Sequence, residues 1–273
     1  MTRVRWATVG SVLVAAAVVC GTALGVGPWP GLARWVDGPS GTRYVAKAAA
    51  GETTVRAIKN GAVLASATLD GAYGIPAVTS VGLGGGLSPD GRLLVLAEPP
   101  QYEGLRDQSS FVLLSTPGLS RLGTIRLRGE FGFDAISPDR RTLYLIQHVS
   151  SSDLVRYVVR AYDLRARRLV PGAIVDKREP SEAMRGYPVA RAASQRGAWV
   201  YTLYNRPSEN ELPFVHALNA ARRIAFCIDL PRWPQGADIW SGRLQLSADG
   251  RELVVRAPES VVARIDTKSL AVR

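Results

Sequence analysis

The sequence predicts an all-β fold built from repeats, and three observations support this prediction. A motif of about ten residues recurs four times, with its serines roughly 50 residues apart, at Ser88, Ser137, Ser194 and Ser247. Each copy places turn-forming residues between two short segments rich in Leu, Val and Tyr, which is typical of paired antiparallel strands. A second pair of apolar segments follows each copy. Because four strands in roughly 50 residues make a propeller blade, we predict a β-propeller of about five four-stranded blades.

The first element along the chain is an apolar segment, residues 6–28, which contains no charged residue. Roughly 22 residues at about 1.5 Å each give a helix of about 33 Å, enough to cross a hydrocarbon core of about 30 Å. The sequence therefore predicts one N-terminal transmembrane helix. A signal peptide is the alternative, because Ala23-Leu24-Gly25 fits a cleavage site.

The charges that flank this segment predict its orientation. Arg3 and Arg5 precede it, and the next charged residue is Arg34. By the positive-inside rule, residues 1–5 form a cytoplasmic tail and everything after the helix lies outside the cell membrane. If the segment is cleaved as a signal peptide, the protein is secreted instead.

The rest of the chain divides into a linker, residues 29–38, and the propeller domain, residues 39–273. A degenerate first repeat is indicated by Gly41, which lies one repeat length before Gly91. Five such units fill the domain, so we expect residues 262–273 and residues 54–69 to lie in neighbouring blades and close the ring.

The best-preserved copies of the motif are Ser88-Pro89-Asp90-Gly91-Arg92 and Ser137-Pro138-Asp139-Arg140-Arg141. These turns resemble the repeats of bacterial WD-like propellers of the TolB type, and the layout is similar to tyrosine-valine-rich propellers of bacterial surface proteins. The resemblance implies the fold and a non-catalytic binding or scaffolding role, because those families are mostly binding modules. The third copy departs from the pattern, since it lacks both Pro and Asp.

The charge balance bears on the partners. The formal net charge is +11, which favours attraction to anionic lipid or wall polymers outside the membrane. No contiguous basic run with interleaved aromatic residues is present, so nucleic acid is not an expected partner. We expect a protein or cell-envelope polymer as partner, in addition to the membrane itself.

The sequence contains no motif for catalysis, for a metal or for a cofactor. His148 and His216 are the only two histidines, and each lies in or beside an apolar segment. We therefore predict no catalytic residue, no metal and no cofactor. The alternative is an envelope enzyme acting on glycans, because Glu130, Asp134 and Asp238 lie on or before innermost strands and glycoside hydrolysis needs two carboxyl groups.

A ligand surface on a propeller is expected at one end of the central channel, where loops meet the innermost strands. Tyr, Trp and Arg are enriched where partners dock. On this basis the predicted ligand or partner surface consists of Tyr102, Phe131, Asp134, Arg185, Tyr187, Tyr204, Arg206, Trp233, Asp238 and Trp240.

Overall fold

A computed structural model describes residues 30–101, 104–178, 184–208 and 211–273. The predicted cytoplasmic tail and the predicted anchor, residues 6–28, lie outside the described residues. From Pro30 onward, no described helix has the length and apolar character needed to cross a membrane. The helical structure in these ranges is one three-residue 3₁₀ helix, Ile239–Ser241. The described chain is otherwise strands and turns, as the sequence predicts.

The strands follow one another in antiparallel pairs. In chain order they are β1 (Leu32–Ala33), β2 (Val36–Asp37), β3 (Arg43–Ala49), β4 (Glu52–Lys59), β5 (Ala62–Asp70), β6 (Ile75–Pro76), β7 (Leu93–Ala97), β8 (Gln108–Ser115), β9 (Arg121–Arg128), β10 (Glu130–Ile136), β11 (Thr142–His148), β12 (Arg156–Asp163), β13 (Arg168–Leu169), β14 (Met184–Arg185), β15 (Tyr187–Ala193), β16 (Trp199–Asn205), β17 (Phe214–Asn219), β18 (Ile224–Asp229), β19 (Arg243–Leu246), β20 (Glu252–Arg256) and β21 (Val261–Asp266).

Five of the six sheets in the described residues follow one another along the chain. Sheet 1 is β2–β5, sheet 2 is β7–β9, sheet 3 is β10–β13 with β14 paired to β12, sheet 4 is β15–β18, and sheet 5 is β19–β21. In sheets 2 and 5 one strand of the expected four is reduced to an isolated bridge, Leu87 with Leu94 and Ile265 with Val272. Strands β1 and β6 form a separate two-stranded sheet.

Two of the strands fall inside the segment 29–38 that the sequence assigns to a linker. Leu32 pairs with Pro76, and Val36 pairs with Tyr44 as the inner strand of sheet 1. Val36 and Tyr44 are both buried. These apolar pairings give the segment a place in the fold.

The recurring motif is a turn with a defined hydrogen-bond pattern. The Ser88 hydroxyl donates to Asp90 Oδ1 at 2.7 Å and accepts from the Leu93 amide at 2.9 Å. Ser137 with Asp139 and Ser247 with Asp249 repeat the first contact at 2.6 Å. The residue three positions after each motif serine has positive φ, which explains the preference for glycine at that position. The values are 69° at Gly91 and Gly250, 66° at Gly197 and 57° at Arg140.

The hydrophobic core consists of four buried clusters, and each lies between consecutive sheets. One joins sheets 1 and 2, one joins sheets 2 and 3, one joins sheets 3 and 4, and one joins sheets 4 and 5. Successive sheets therefore pack face to face, as blades of a propeller do.

The sequence predicts that the first and last sheets pack together and close the ring. The described residues do not show this interface. None of the four clusters in the described part of the chain contains residues of both sheet 1 and sheet 5. The free face of sheet 5 carries Arg243, Arg256 and Arg264, and the free face of sheet 1 carries Lys47 and Arg56, all exposed. Burying these cations against one another would desolvate them and bring like charges together, which is unfavourable.

Sheets 2 and 4, which are not consecutive, touch each other directly. The Ser80 amide, in the loop that follows β6, donates to the Pro188 carbonyl of β15 at 2.7 Å. The motif turns of the two sheets also meet, because a Cβ built on Gly197 would lie 2.7 Å from Cβ of Pro89.

Candidate functional site

A cavity of about 50 Å³ lies among sheets 2, 3 and 4, next to β1 and β6. Its polar lining comes from Glu98, Arg106, Glu130, Asp134, His148, Tyr157, Arg191 and Tyr204, and we call this set the polar cavity. Apolar residues such as Phe131 and Phe133 complete the wall. The innermost strands β10 and β15 place most of the charged groups.

Glu130 opens β10 and is 2% exposed. Arg106, in the loop before β8, donates to both of its carboxylate oxygens, with Nη2 at 2.6 Å from Oε1 and Nε at 2.8 Å from Oε2. Glu98 adds a second carboxylate 3.8 Å from Arg106. This bidentate pair fixes the planar guanidinium against the cavity wall.

Asp134 and Arg191 form a second ion pair across sheets 3 and 4. Arg191 Nη2 contacts Asp134 Oδ1, and Nη1 donates to the Asp134 carbonyl at 2.6 Å. The register of β10 shifts between Phe133 and Ala135, so Asp134 sits in a bulge, a feature that turns a side chain out of the regular alternation.

Asp134 keeps one unused acceptor. Its side chain is 4% exposed, and Oδ2 has no hydrogen-bond partner among the described residues. Most buried polar atoms in proteins are hydrogen-bonded, and an orphan requires an explanation. Here the orphan belongs to a residue that lines the cavity.

The histidines are neutral at physiological pH. Burial lowers the pKa of His148 to about 4, and burial likewise lowers the pKa of His216, which lies outside the cavity, to about 4. The His148 Nδ1 lies 3.0 Å from the Leu154 carbonyl, to which the neutral ring donates. Burial also raises the pKa of Tyr157 and of Tyr204, so both stay protonated.

The formal charges of the side chains that line the cavity do not sum to zero. Three carboxylates, Glu98, Glu130 and Asp134, face two guanidinium groups, Arg106 and Arg191. The cavity is therefore locally anionic by one formal charge in a chain whose net charge is +11.

The structure brings three of the predicted surface residues to this cavity, Phe131, Asp134 and Tyr204. Arg185 instead pairs with Asp153 at 2.9 Å, and Arg206 pairs with Asp229 at 2.8 Å. Tyr102 lies outside the described residues.

The remaining predicted residues belong to the region around the 3₁₀ helix. Tyr187 and Trp240 pack edge to face with ring centroids 6.0 Å apart. Trp233 Nε1 donates to the Ala237 carbonyl at 3.1 Å, and Asp238 accepts from the Ser241 hydroxyl at 2.6 Å. None of these four side chains lines the polar cavity.

The alternative hypothesis of a glycan-acting enzyme rests on the carboxylates of Glu130, Asp134 and Asp238, and the structure does not bring all three together. Glu130 and Asp134 line one cavity, whereas Asp238 caps the 3₁₀ helix elsewhere. Each carboxylate in the cavity is held by an arginine.

Sequence analysis did not predict that Glu98, Arg106, His148, Tyr157 and Arg191 line a site. A signal for Arg191 was present in the repeat itself. Asp134 and Arg191 both stand three positions before a motif serine, Ser137 and Ser194, and so occupy equivalent places on neighbouring inner strands. Opposite charges at equivalent repeat positions indicate a contact between adjacent blades.

No protein-family model and no curated protein matches this sequence. Solved structures do match. A functionally unknown protein from Desulfotomaculum acetoxidans aligns with a TM-score of 0.51 and 13% identity, over 88% of this chain and 68% of that chain. A chain of the mitotic checkpoint complex aligns with a TM-score of 0.50 and 13% identity, over 88% of this chain and 63% of that one.

The Dos1 propeller aligns with a TM-score of 0.48 and 11% identity, over 88% of this chain and 60% of its own. The chain thus spans less than two thirds of the checkpoint and Dos1 chains. At such identities the similarity establishes the fold alone. Together with the face-to-face sheets, it shows that this protein is a β-propeller.

Proposed function

We propose that this protein is a non-catalytic binding module, a five-bladed propeller in which sheets 1–5 are the blades and the polar cavity receives a donor group of a partner. The observation that carries the proposal is the buried, unpartnered Oδ2 of Asp134 in a cavity wall. A buried acceptor without a partner costs about 1–3 kcal/mol, and a bound donor would recover that free energy.

The volume and the formal charge of the cavity limit which chemical group it can bind. A volume of about 50 Å³ exceeds the roughly 10–15 Å³ that one buried water molecule requires. A small polar group therefore fits. The excess carboxylate and the rings of Phe131, Tyr157 and Tyr204 favour an ammonium over a neutral donor. We propose that the group is an amine at the tip of a protein or cell-envelope polymer.

The test is photo-crosslinking of the full-length chain in its own cell envelope. A photoreactive amino acid replaces Pro100, which lines the cavity. We expect an adduct whose mass identifies the class of partner, and we expect Asp134→Asn to abolish it. Asp139→Asn is the matched control, because that carboxylate lies in the turn between β10 and β11, does not line the cavity and contacts Ser137. An adduct that survives Asp134→Asn in a folded variant would refute the assignment of the cavity.

We also propose that residues 6–28 anchor the protein in the cell membrane as a single span, with the propeller outside. The support is the uncharged length of the segment and the arginines before it. We expect the full-length chain to stay in the membrane fraction through high-salt and carbonate washing. Recovery of a soluble product that begins near Val26 would instead establish the signal-peptide alternative.

A further inference from the structure

A cleft of about 490 Å³ opens between sheets 2 and 3, and we call it the intersheet cleft. Its lining comes from both sheets, with Arg92 and parts of β8 and β9 on one side and Arg140 and the end of β12 on the other. It shares no lining residue with the polar cavity. Small-molecule sites in proteins are clefts of about 300–1,000 Å³, so the intersheet cleft has the size of such a site.

The floor of the intersheet cleft is apolar. Its buried side chains, each at most 9% exposed, are Leu93, Leu113, Ile125 and Tyr162. Leu122 also lines the cleft, at a point where the ladder between β8 and β9 shifts register, and its side chain is 56% exposed. Apolar side chains in an open cleft favour a ligand with an apolar part.

The walls of the intersheet cleft carry a surplus of positive charge. Their charged side chains are three arginines and one aspartate, Arg92, Arg140, Arg167 and Asp139. Arg140 Nε lies 3.2 Å from Asp90 Oδ2, so this arginine has a partner outside the cleft. In the described ranges, neither Arg92 nor Arg167 forms an ion pair. The cleft therefore holds two guanidinium groups that no described carboxylate contacts.

The two arginines from sheet 3 are placed by unusual backbone and by close packing. Arg140 has φ of 57° at the motif position where the other copies have glycine. Strain of this kind is characteristic of functional positions, and here it keeps a guanidinium at the cleft. Arg167 reaches across to sheet 2, because a Cβ built on Gly123 of β9 would lie 3.0 Å from Arg167 Nη2. Glycine at position 123 thus leaves room for that guanidinium.

We propose that the intersheet cleft binds a small phosphate monoester, with the phosphate on Arg92, Arg140 and Arg167 and the ester group on the apolar floor. A phosphate monoester carries about −1.5 to −2 charges at pH 7, which matches two guanidinium groups without carboxylate partners. A carboxylate carries one charge and would leave one of them uncompensated. Arginine binds phosphate oxygens through two parallel hydrogen bonds, and the hydroxyls of Ser115 and Thr124 line the same cleft.

Titration calorimetry of the full-length chain in mild detergent tests this site, with phenyl phosphate as the probe. We expect saturable binding that Arg167→Gln weakens about tenfold or more, because it removes charge-assisted hydrogen bonds. Arg140→Gly, which introduces the residue of the other motif copies, should also weaken binding. Arg141→Gln is the matched control, because Arg141 follows Arg140 but does not line the cleft, and it should bind as the parent does. Equal weakening by Arg141→Gln and Arg167→Gln, or no binding by the parent, would overturn the proposal.

Three further probes test the chemistry of the ligand. Benzoate keeps the ring with one charge, and inorganic phosphate keeps the charge without the ring. We expect each to bind about fivefold more weakly than phenyl phosphate or worse, and equal binding of either would refute the role assigned to the part it lacks. Dihexanoyl phosphatidic acid carries the same phosphate monoester on a lipid, and tighter binding of this lipid would refute a small soluble ligand. The substituted residues do not line the polar cavity, so this proposal and the Asp134 proposal fail separately.

Discussion

The four motif turns provide a graded test of what the repeated glycine does. Gly91, Gly197 and Gly250 have positive φ at equivalent positions, and their surroundings differ. A Cβ on Gly250 would meet nothing within 4 Å, whereas a Cβ on Gly91 would lie 2.9 Å from Cδ of Pro39. On Gly197 it would overlap the ring of Pro89. Alanine at each position therefore adds the same backbone strain and a different steric cost.

The expected free energies of unfolding follow from these two terms. Left-handed backbone costs alanine about 1–2 kcal/mol, partly offset by about 0.4–1 kcal/mol from the less flexible unfolded chain. Gly250→Ala should thus destabilise by about 0.5–1 kcal/mol. Overpacking adds about 1–3 kcal/mol, which puts Gly91→Ala near 2 kcal/mol and Gly197→Ala at about 3 kcal/mol or more.

The fourth turn supplies the converse change, since Arg140 already occupies this conformation with φ of 57°. Arg140→Gly relieves the strain but gives up the exposed ion pair to Asp90, at 3.2 Å, and adds freedom to the unfolded chain. We expect a change within about 0.5 kcal/mol. Urea unfolding of the full-length variants measures the series. Equal losses at Gly250, Gly91 and Gly197 would show that packing between turns contributes nothing, and no loss at Gly250 would refute the strain argument.

Two further predictions concern buried charge. Arg191→Met should lower the free energy of unfolding by about 3–5 kcal/mol, because it leaves the Asp134 carboxylate unpaired. Adding Asp134→Leu should restore most of that stability, as measured by urea unfolding. A double variant no more stable than the single one would contradict this prediction. The pKa values of His148 and His216 fall from 6.5 to about 4 on folding, so their neutral forms stabilise the fold fully above pH 6.5, and that contribution is lost as the pH falls towards 4. Each histidine should lower the free energy of unfolding by at most about 3 kcal/mol over this range. In a His216→Gln variant, the free energy of unfolding should therefore depend less on pH between pH 6.5 and 4. An unchanged pH dependence would refute the prediction.

The repeat could be predicted from the sequence because its turn is a local structure. The hydrogen bonds of the Ser88 hydroxyl and of Asp90 Oδ1 join groups within five residues of each other, so the motif contains its own hydrogen-bond partners. The third copy keeps the same turn without Pro or Asp, because Ser194 still accepts from the Trp199 amide and Gly197 still adopts positive φ.

The closure of the ring could not be predicted by counting blades. Closure requires apolar faces on the first and last sheets. The alternation of apolar and polar residues along each strand indicates which faces are apolar. The five residues of β7 are all buried, as in a sheet covered on both faces. In contrast, β19 alternates, with Arg243 and Gln245 exposed, as in a sheet covered on one face.

The cavity was only partly predictable, because its members come from three sheets and from a loop. Phe131, Asp134 and Tyr204 were found through their position near the channel. Arg106 reaches Glu130 from a loop 24 residues earlier in the chain, and no local pattern indicates that contact.

The contact between sheets 2 and 4 changes how the molecule should come apart. In a linear array each repeat is held only by its neighbours, and opening can begin anywhere. Two contacts connect sheets 2 and 4 directly, without passing through sheet 3. One is the hydrogen bond from the Ser80 amide to the Pro188 carbonyl, and the other is the Pro89 ring against Gly197. Each of sheets 2, 3 and 4 therefore contacts the other two. Sheets 1 and 5 each pack against one neighbouring sheet only in the described residues. Under load or in native-state hydrogen exchange, the two end sheets should open first and separately, and the braced centre should open last, as one unit.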